Sequence, residues 1–296
     1  MATYLQPDVI HRAEALGLKA RTIVEGMRVG DHKSPYHGFS IEFIQHREYV
    51  PGDDIRHIDW RVYGRSERYA IKQYEQETNF VGHLMVDASR SMLYGEGAQN
   101  KLDVAKVIAA ALGYLIIGQR DSAGLYIFDS QWRTQLPVGS QPGHVQQILR
   151  ALESTEPQEK TAVGPLLHAL AEKARRRGLV FLVSDCLDEV APMLEGLRHL
   201  RFMGHEVTVF HVLHPDEMAF PFEGMVKFDG MEVKEHLLTR PHLIRPSYLL
   251  AVQSYLKELR EGCEANRVDY VLVDTSRPLA ETLTAYLARR LRIRRI

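Results

Sequence analysis

Asp87, Ser89 and Ser91 occupy alternate positions in the run D-A-S-R-S, directly after the apolar stretch 81–86. Two further oxygen donors follow at similar breaks in hydrophobicity. Thr161 opens the loop T-A-V-G ahead of a helical stretch, and Asp185 lies in S-D-C after the apolar run 179–183. Three hydroxyls and two carboxylates are a hard-oxygen set suited to Mg²⁺, Mn²⁺ or Ca²⁺; Mg²⁺ takes six oxygens at ~2.1 Å and usually keeps some as water. The competing account makes the aspartates caps and the serines turn residues.

Other chemistries fit less well. A strand-terminal aspartate is the nucleophile of haloacid dehalogenase-type phosphatases, but those carry a second acid two residues on, where this chain has Ser89. Ser89 and Ser91 sit in no G-x-S-x-G elbow, and Gly95 and Gly97 lack the lysine of a phosphate-binding loop. His83, inside the first apolar run, reads as a satisfied core residue, and His211 and His214 as strand-end residues without an assignable acid. Cys186 reads as a small buried hydrophobe. A non-enzymatic binding site is therefore expected, with a metal-dependent hydrolase (phosphoesterase or peptidase) using the same oxygens as the alternative.

The elements that must position these residues follow from periodicity. From about residue 80 onward, β-branched runs alternate with amphipathic helical stretches, which argues for a parallel sheet covered on both faces. Strands are predicted at 81–86, 121–128, 131–138, 179–183, 207–213 and 268–273, with 131–138 as a hairpin partner at the sheet edge. Helices are predicted at 102–118, 145–152, 165–177 and 191–202, then one begun by Pro246 and a last one from Leu279. Between them, Val226 and Phe228 alternate on one side of Asp229-Gly230, and Met231 and Val233 on the other, so an inserted hairpin is expected near 218–238. The fold class is thus α/β, a doubly wound, mostly parallel sheet of about six strands. In such sheets ligands bind beyond the carboxyl ends of the strands, where all five oxygen donors fall. Residues 79–296 form this domain. Residues 1–78 form a small lobe with a helix at 9–24 and charge-rich extended segments.

D-x-S-x-S, followed by a loop threonine and a strand-terminal aspartate, resembles the metal-ion-dependent adhesion site of von Willebrand factor type A domains. Upstream, the segment 42–60, E-F-I-Q-H-R-E-Y-V-P-G-D-D-I-R-H-I-D-W, resembles the signature of the domain-of-unknown-function family 58. That resemblance implies a type A fold and a protein working with a MoxR-type AAA+ ATPase on a protein client. It implies a cation, Mg²⁺ or else Mn²⁺ or Ca²⁺, held by Asp87, Ser89, Ser91, Thr161 and Asp185. Many members are membrane-anchored, and anchoring helices are absent from this sequence. In the signature itself, Arg47, Asp53, Asp54, Arg56, Asp59 and Trp60 read either as a salt-bridged turn around Pro51-Gly52 or as a docking surface, with Trp60 expected in the core.

Bulk properties are compatible with this reading. Lysine and arginine number 37 against 38 acidic residues, so no overall field draws the chain to nucleic acid or anionic lipid. The arginines at 289, 290, 292, 294 and 295 are a local exception, read as a solvated helix end. Two cysteines far apart form no disulfide framework, no signal peptide is recognisable, and the longest apolar run, 107–118, is too short to span a bilayer. A cytoplasmic location is expected.

Overall fold

The computed structural model describes residues 41–50, 58–76, 81–232 and 235–293. The chain divides into two compact units, Gly30–Asn79 and the unit that contains Phe80–Ile296. In the first, β1 (Ile41–Glu48) pairs antiparallel with β2 (Ala70–Gln76), and the short helix α1 (Trp60–Ser66) lies between them in sequence. Asp59 caps α1 by accepting the Arg61 amide at 2.9 Å. The helix expected at 9–24, the loop at 31–37 and the Pro51-Gly52 turn lie outside the described residues.

The second unit is built on β3 (Val81–Asp87), β4 (Ser122–Phe128), β5 (Trp132–Gly139), β6 (Leu179–Ser184), β7 (Glu206–Leu213) and, after the hairpin described below, a last strand at Asp269–Asp274. Their spatial order runs from that last strand through β7, β6, β3 and β4 to β5. All neighbours are parallel except β4 and β5, so the six-stranded, mostly parallel sheet read from the sequence is observed, with β5 at the edge.

Alternation along each strand sends side chains to two cores. Leu84, Val86, Leu125, Ile127, Val183, Phe210 and Val212 meet α2 (Lys101–Gly118) and α3 (Pro142–Glu153) on one face. Met85, Phe128, Val180, Leu182 and Val209 meet α4 (Val163–Lys173) and α5 (Val190–Phe202) on the other. With both faces covered, the central strands are apolar throughout, which is why they read as continuous runs. Two cores of this size hold the strand ends rigidly, the condition for placing hydroxyls to within tenths of an ångström.

After β7 comes a helix missed in the sequence, α6 (Pro215–Ala219), whose His214 and Glu217 form a capping box. The inserted hairpin follows as β8 (Val226–Asp229) and β9 (His236–Thr239). Its turn is longer than expected: the Gly230 amide donates to the Glu235 carbonyl, so the return strand starts at His236, and Met231 lies in the turn. Val233 lies outside the described residues. The next helix, α7 (Pro241–Ala265), begins at Pro241 and not at Pro246, which falls inside it. Both prolines suit a first turn, and the earlier one wins because His242 to Arg245 are already helical. The last strand, β10 (Asp269–Asp274), leads to α8 (Leu279–Ile293). No helix among the described residues is long and apolar enough to cross a membrane.

Candidate metal centre at the strand ends

Asp87 ends β3, and its neighbours in the sheet are β4, which follows it in sequence, and β6, which comes much later. This is the topological switch point, where the connections from adjacent strands part to opposite faces and leave a crevice. Ala88 closes the strand by donating its amide to the Phe128 carbonyl at 2.7 Å. The chain then turns through a 3-10 turn at Arg90–Leu93, which brings Ser91 back beside Ser89.

Four of the five expected residues are joined by hydrogen bonds. Asp87 Oδ1 accepts the Ser89 amide at 2.9 Å, and Asp87 Oδ2 accepts the Thr161 hydroxyl at 3.0 Å. Ser89 Oγ and Ser91 Oγ lie 3.0 Å apart. Thr161 reaches the site because the Ala162 amide bonds the Asp129 carbonyl after β4 and the Val163 amide bonds Asp188 after β6. Asp185 directly follows β6, close enough that its charge raises the pKa of Asp87. All five side chains are buried.

Four partners were not singled out in the sequence. Ser184 Oγ donates to Asp87 Oδ2 at 2.5 Å and accepts the Cys186 amide at 2.8 Å. Lys101, at the first position of α2 and fully buried, bonds Asp185 Oδ2 at 2.8 Å and Glu217 Oε1 at 2.6 Å. From the hairpin turn, Glu232 brings its carboxylate against the Ser91 hydroxyl and the Ser91 and Thr161 amides. Ser184 was legible as the neighbour of a strand-end aspartate, and Glu217 as the third residue after a capping His214. Lys101 and Glu232 carry no local signal, since one opens an ordinary helix and the other sits in a polar turn.

Electrostatics at the site are unbalanced. Asp87 is pushed up to about 7, chiefly by burial and then by Asp185, against the Ser184 and Ser89 hydrogen bonds that hold it down. Burial likewise raises Glu232, and Asp185 adds to it, while the Ser91 and Thr161 donors pull the other way. Among the described residues, the four carboxylates Asp87, Asp185, Glu217 and Glu232 are set against one ammonium, that of Lys101, which bonds Asp185 and Glu217. A divalent ion would offset most of that excess.

The donor set fits such an ion. Neighbouring vertices of an octahedron with ~2.1 Å bonds are ~3.0 Å apart, the separation of the two serine oxygens. Asp87 already accepts three hydrogen bonds, which suits a carboxylate acting through water. Glu232 Oε1 is buried with no hydrogen-bond partner. Among the described residues no group of three or more His, Cys, Asp and Glu side chains could hold a metal ion, so a cation here would rest largely on hydroxyls.

The remaining expected positions behave differently. Cys186 is buried, with its thiol raised well above the ordinary value by burial. Its left-handed backbone, φ 53°, is a strained conformation for a residue with a side chain. Here the Ser184 hydroxyl and the Tyr255 hydroxyl, which donates to the Cys186 carbonyl, hold it. His211 bonds Tyr270 and the Asp185 carbonyl, and burial lowers it to about 4. His83 is buried as expected, but both its ring nitrogens lack hydrogen-bond partners, its ring lying beside those of Tyr126 and His205. Trp60, expected in the core, is 62% exposed: it starts a two-turn helix with no buried residue, and among the described residues its ring meets that of Tyr63 in a T-shaped contact. Asp53, Asp54, Arg56 and the Arg47 side chain lie outside the described residues.

Residues 45–255 match the family described as protein of unknown function DUF58. An uncharacterised protein of Mycobacterium tuberculosis is 30% identical over 232 residues, 76% of this chain and 72% of its own length. The chain belongs to the DUF58 family. Among solved structures, this DUF58 protein is similar to an aerotolerance-related membrane protein from Bacteroides fragilis, with 20% identity, TM-score 0.49 and coverage of 72% of this chain and 99% of that one. It is also similar to the SpRpn10 VWA domain, with 13% identity, TM-score 0.42 and coverage of 70% and 94%.

Proposed function

We propose that this DUF58 chain is a non-enzymatic, cation-dependent protein-binding module, working with a MoxR-type AAA+ ATPase in protein assembly or remodelling. The observation that carries the reading is the pair of hydroxyls, Ser89 Oγ and Ser91 Oγ, held 3.0 Å apart above Asp87 at the switch point of the sheet. Ser89, Ser91 and Thr161 would hold Mg²⁺, or Mn²⁺ or Ca²⁺, directly, with Asp87 and Asp185 acting through water. When bound, the cation supplies a Lewis-acidic position for an acidic side chain of the partner.

The chain's own residues do the rest. Asp87 orients the Ser89 backbone and the Thr161 hydroxyl, and Lys101 draws off part of the charge of Asp185. A neutral-hydroxyl shell leaves an ion more electrophilic than a carboxylate shell does, which favours an incoming glutamate or aspartate. Ser89 and Ser91 bond each other, and among the described residues neither hydroxyl bonds a histidine or lysine that could activate it as a nucleophile, which favours binding over nucleophilic chemistry. The ATPase partner is drawn from family membership.

Association of the purified chain with the MoxR-type ATPase, measured with Mg²⁺ and with EDTA for wild type and Ser89→Ala, tests the reading. Metal-dependent binding that the substitution weakens by about 10-fold is expected. Equal binding in EDTA rejects it, as does Mg²⁺-dependent turnover of phosphoesters or peptides.

A further inference from the structure

The turn of the β8–β9 hairpin carries one residue out of keeping with a solvated loop. Glu232 is partly buried, and its carboxylate lies against the Ser91 hydroxyl and amide and the Thr161 amide. Its Oε1 is buried without a hydrogen-bond donor. An ionised carboxylate oxygen in that state is costly unless a cation is there to meet it. Among the described residues the one ammonium in the cluster, Lys101, is bonded to Asp185 and Glu217 and not to Glu232.

Resting on the cation reading above, we propose that Glu232 is an internal acidic ligand of the site. It takes the coordination position that a partner's glutamate or aspartate would take, so a partner binds by displacing the hairpin. The hairpin suits such exchange. Its strands are four residues each and pair only with one another, and no side chain of β8 or β9 is fully buried. A two-stranded ribbon of this size has little stability of its own, so displacing it costs its short ladder and the packing of Phe228 against Phe220 and Phe222. The two sheet-covering cores are untouched by that movement, because neither includes a residue of the hairpin.

Mn²⁺ is the probe for the test, since it reports both affinity and the water in its first shell. Titrate Mn²⁺ into wild type, Glu232→Gln, Glu235→Gln and Ser89→Ala, and measure water-proton relaxation of the bound ion. Glu232→Gln keeps the shape of the turn and should weaken Mn²⁺ by about 10-fold. It should also add about one exchangeable water to the ion. Added acetate should remove that water at lower concentration in Glu232→Gln than in wild type. Glu235→Gln, exposed in the same turn, should match wild type. If wild type binds Mn²⁺ and Ser89→Ala does not, while Glu232→Gln keeps wild-type affinity and relaxation, the internal ligand is refuted and the cation site stands. If wild type binds no Mn²⁺, both fall.

Discussion

Lys101 Nζ donates to Asp185 Oδ2 at 2.8 Å, and neither side chain has any exposed surface. A fully buried pair is held less by net attraction than by the cost of leaving either charge alone. Glu217 completes the arrangement from α6, so one ammonium ties the start of α2 to the end of β6 and to the segment after β7. Lys101→Met removes the ammonium and keeps most of the volume. We expect metal-free stability to fall by ~3–5 kcal/mol, the usual result of stranding a buried charge. Mg²⁺ should restore part of it, since the vacated charge is the kind a divalent ion supplies. Urea titrations with and without Mg²⁺ check this; equal losses in both would separate Lys101 from the cation.

The raised carboxyl of Asp87 sets a pH dependence. In the unfolded chain an aspartate ionises near ~4, and in the fold this one ionises at about 7. Between those values the native state holds a proton that the unfolded state has lost, so metal-free stability falls as pH rises through the window and levels off above it. Asp87→Asn should flatten that slope. Cation binding needs the ionised carboxylate, so Mg²⁺ should release about one proton well below pH 7 and almost none well above it. Calorimetry in buffers of different ionisation enthalpy counts the protons, and a pH-independent release near zero contradicts the expectation.

Thr161 separates hydroxyl from shape. Thr161→Val keeps the volume but takes one donor from the buried Asp87 carboxylate, at an expected cost of ~1–3 kcal/mol. Thr161→Ser keeps the donor and should recover most of the stability and of the cation affinity. If valine and serine behave alike, the hydroxyl does not matter and the residue merely fills space.

The sheet and the strand-end aspartates were legible because both depend on local pattern. Runs such as Leu84 to Val86 and Val180 to Val183 are apolar throughout only when both faces are covered, and a polar residue ending such a run marks the crevice. Thr161 was legible as the residue before a helix. What could not be read depends on distance in sequence. Lys101 meets Glu217 across the site only through the path of β7, and Glu232 returns to Ser91 only because the Gly230 to Glu235 bond lengthens the turn. Trp60 was misread because a large aromatic suggests a core, whereas its short helix has none to offer.

Ser184 shows how a residue that touches no ion could still govern one. Its hydroxyl stands between the Cys186 amide and Asp87 Oδ2, so it fixes the rotamer of Asp87 and the left-handed turn at Cys186 together. Ser184→Ala leaves the oxygens of Ser89, Ser91 and Thr161 in place. It deprives Asp87 of the strongest bond holding its proton affinity down, so Asp87 should ionise at still higher pH in the metal-free protein. Cation affinity should then drop by about 10- to 100-fold near neutral pH, the range for loss of an outer hydrogen-bond partner, and recover part of the way as pH rises. Ser89→Ala, which removes an oxygen meant for the ion itself, should lose affinity at every pH. Mn²⁺ titrations of the two variants across neutral pH distinguish these outcomes, and parallel curves would mean that Ser184 does not act through the protonation of Asp87.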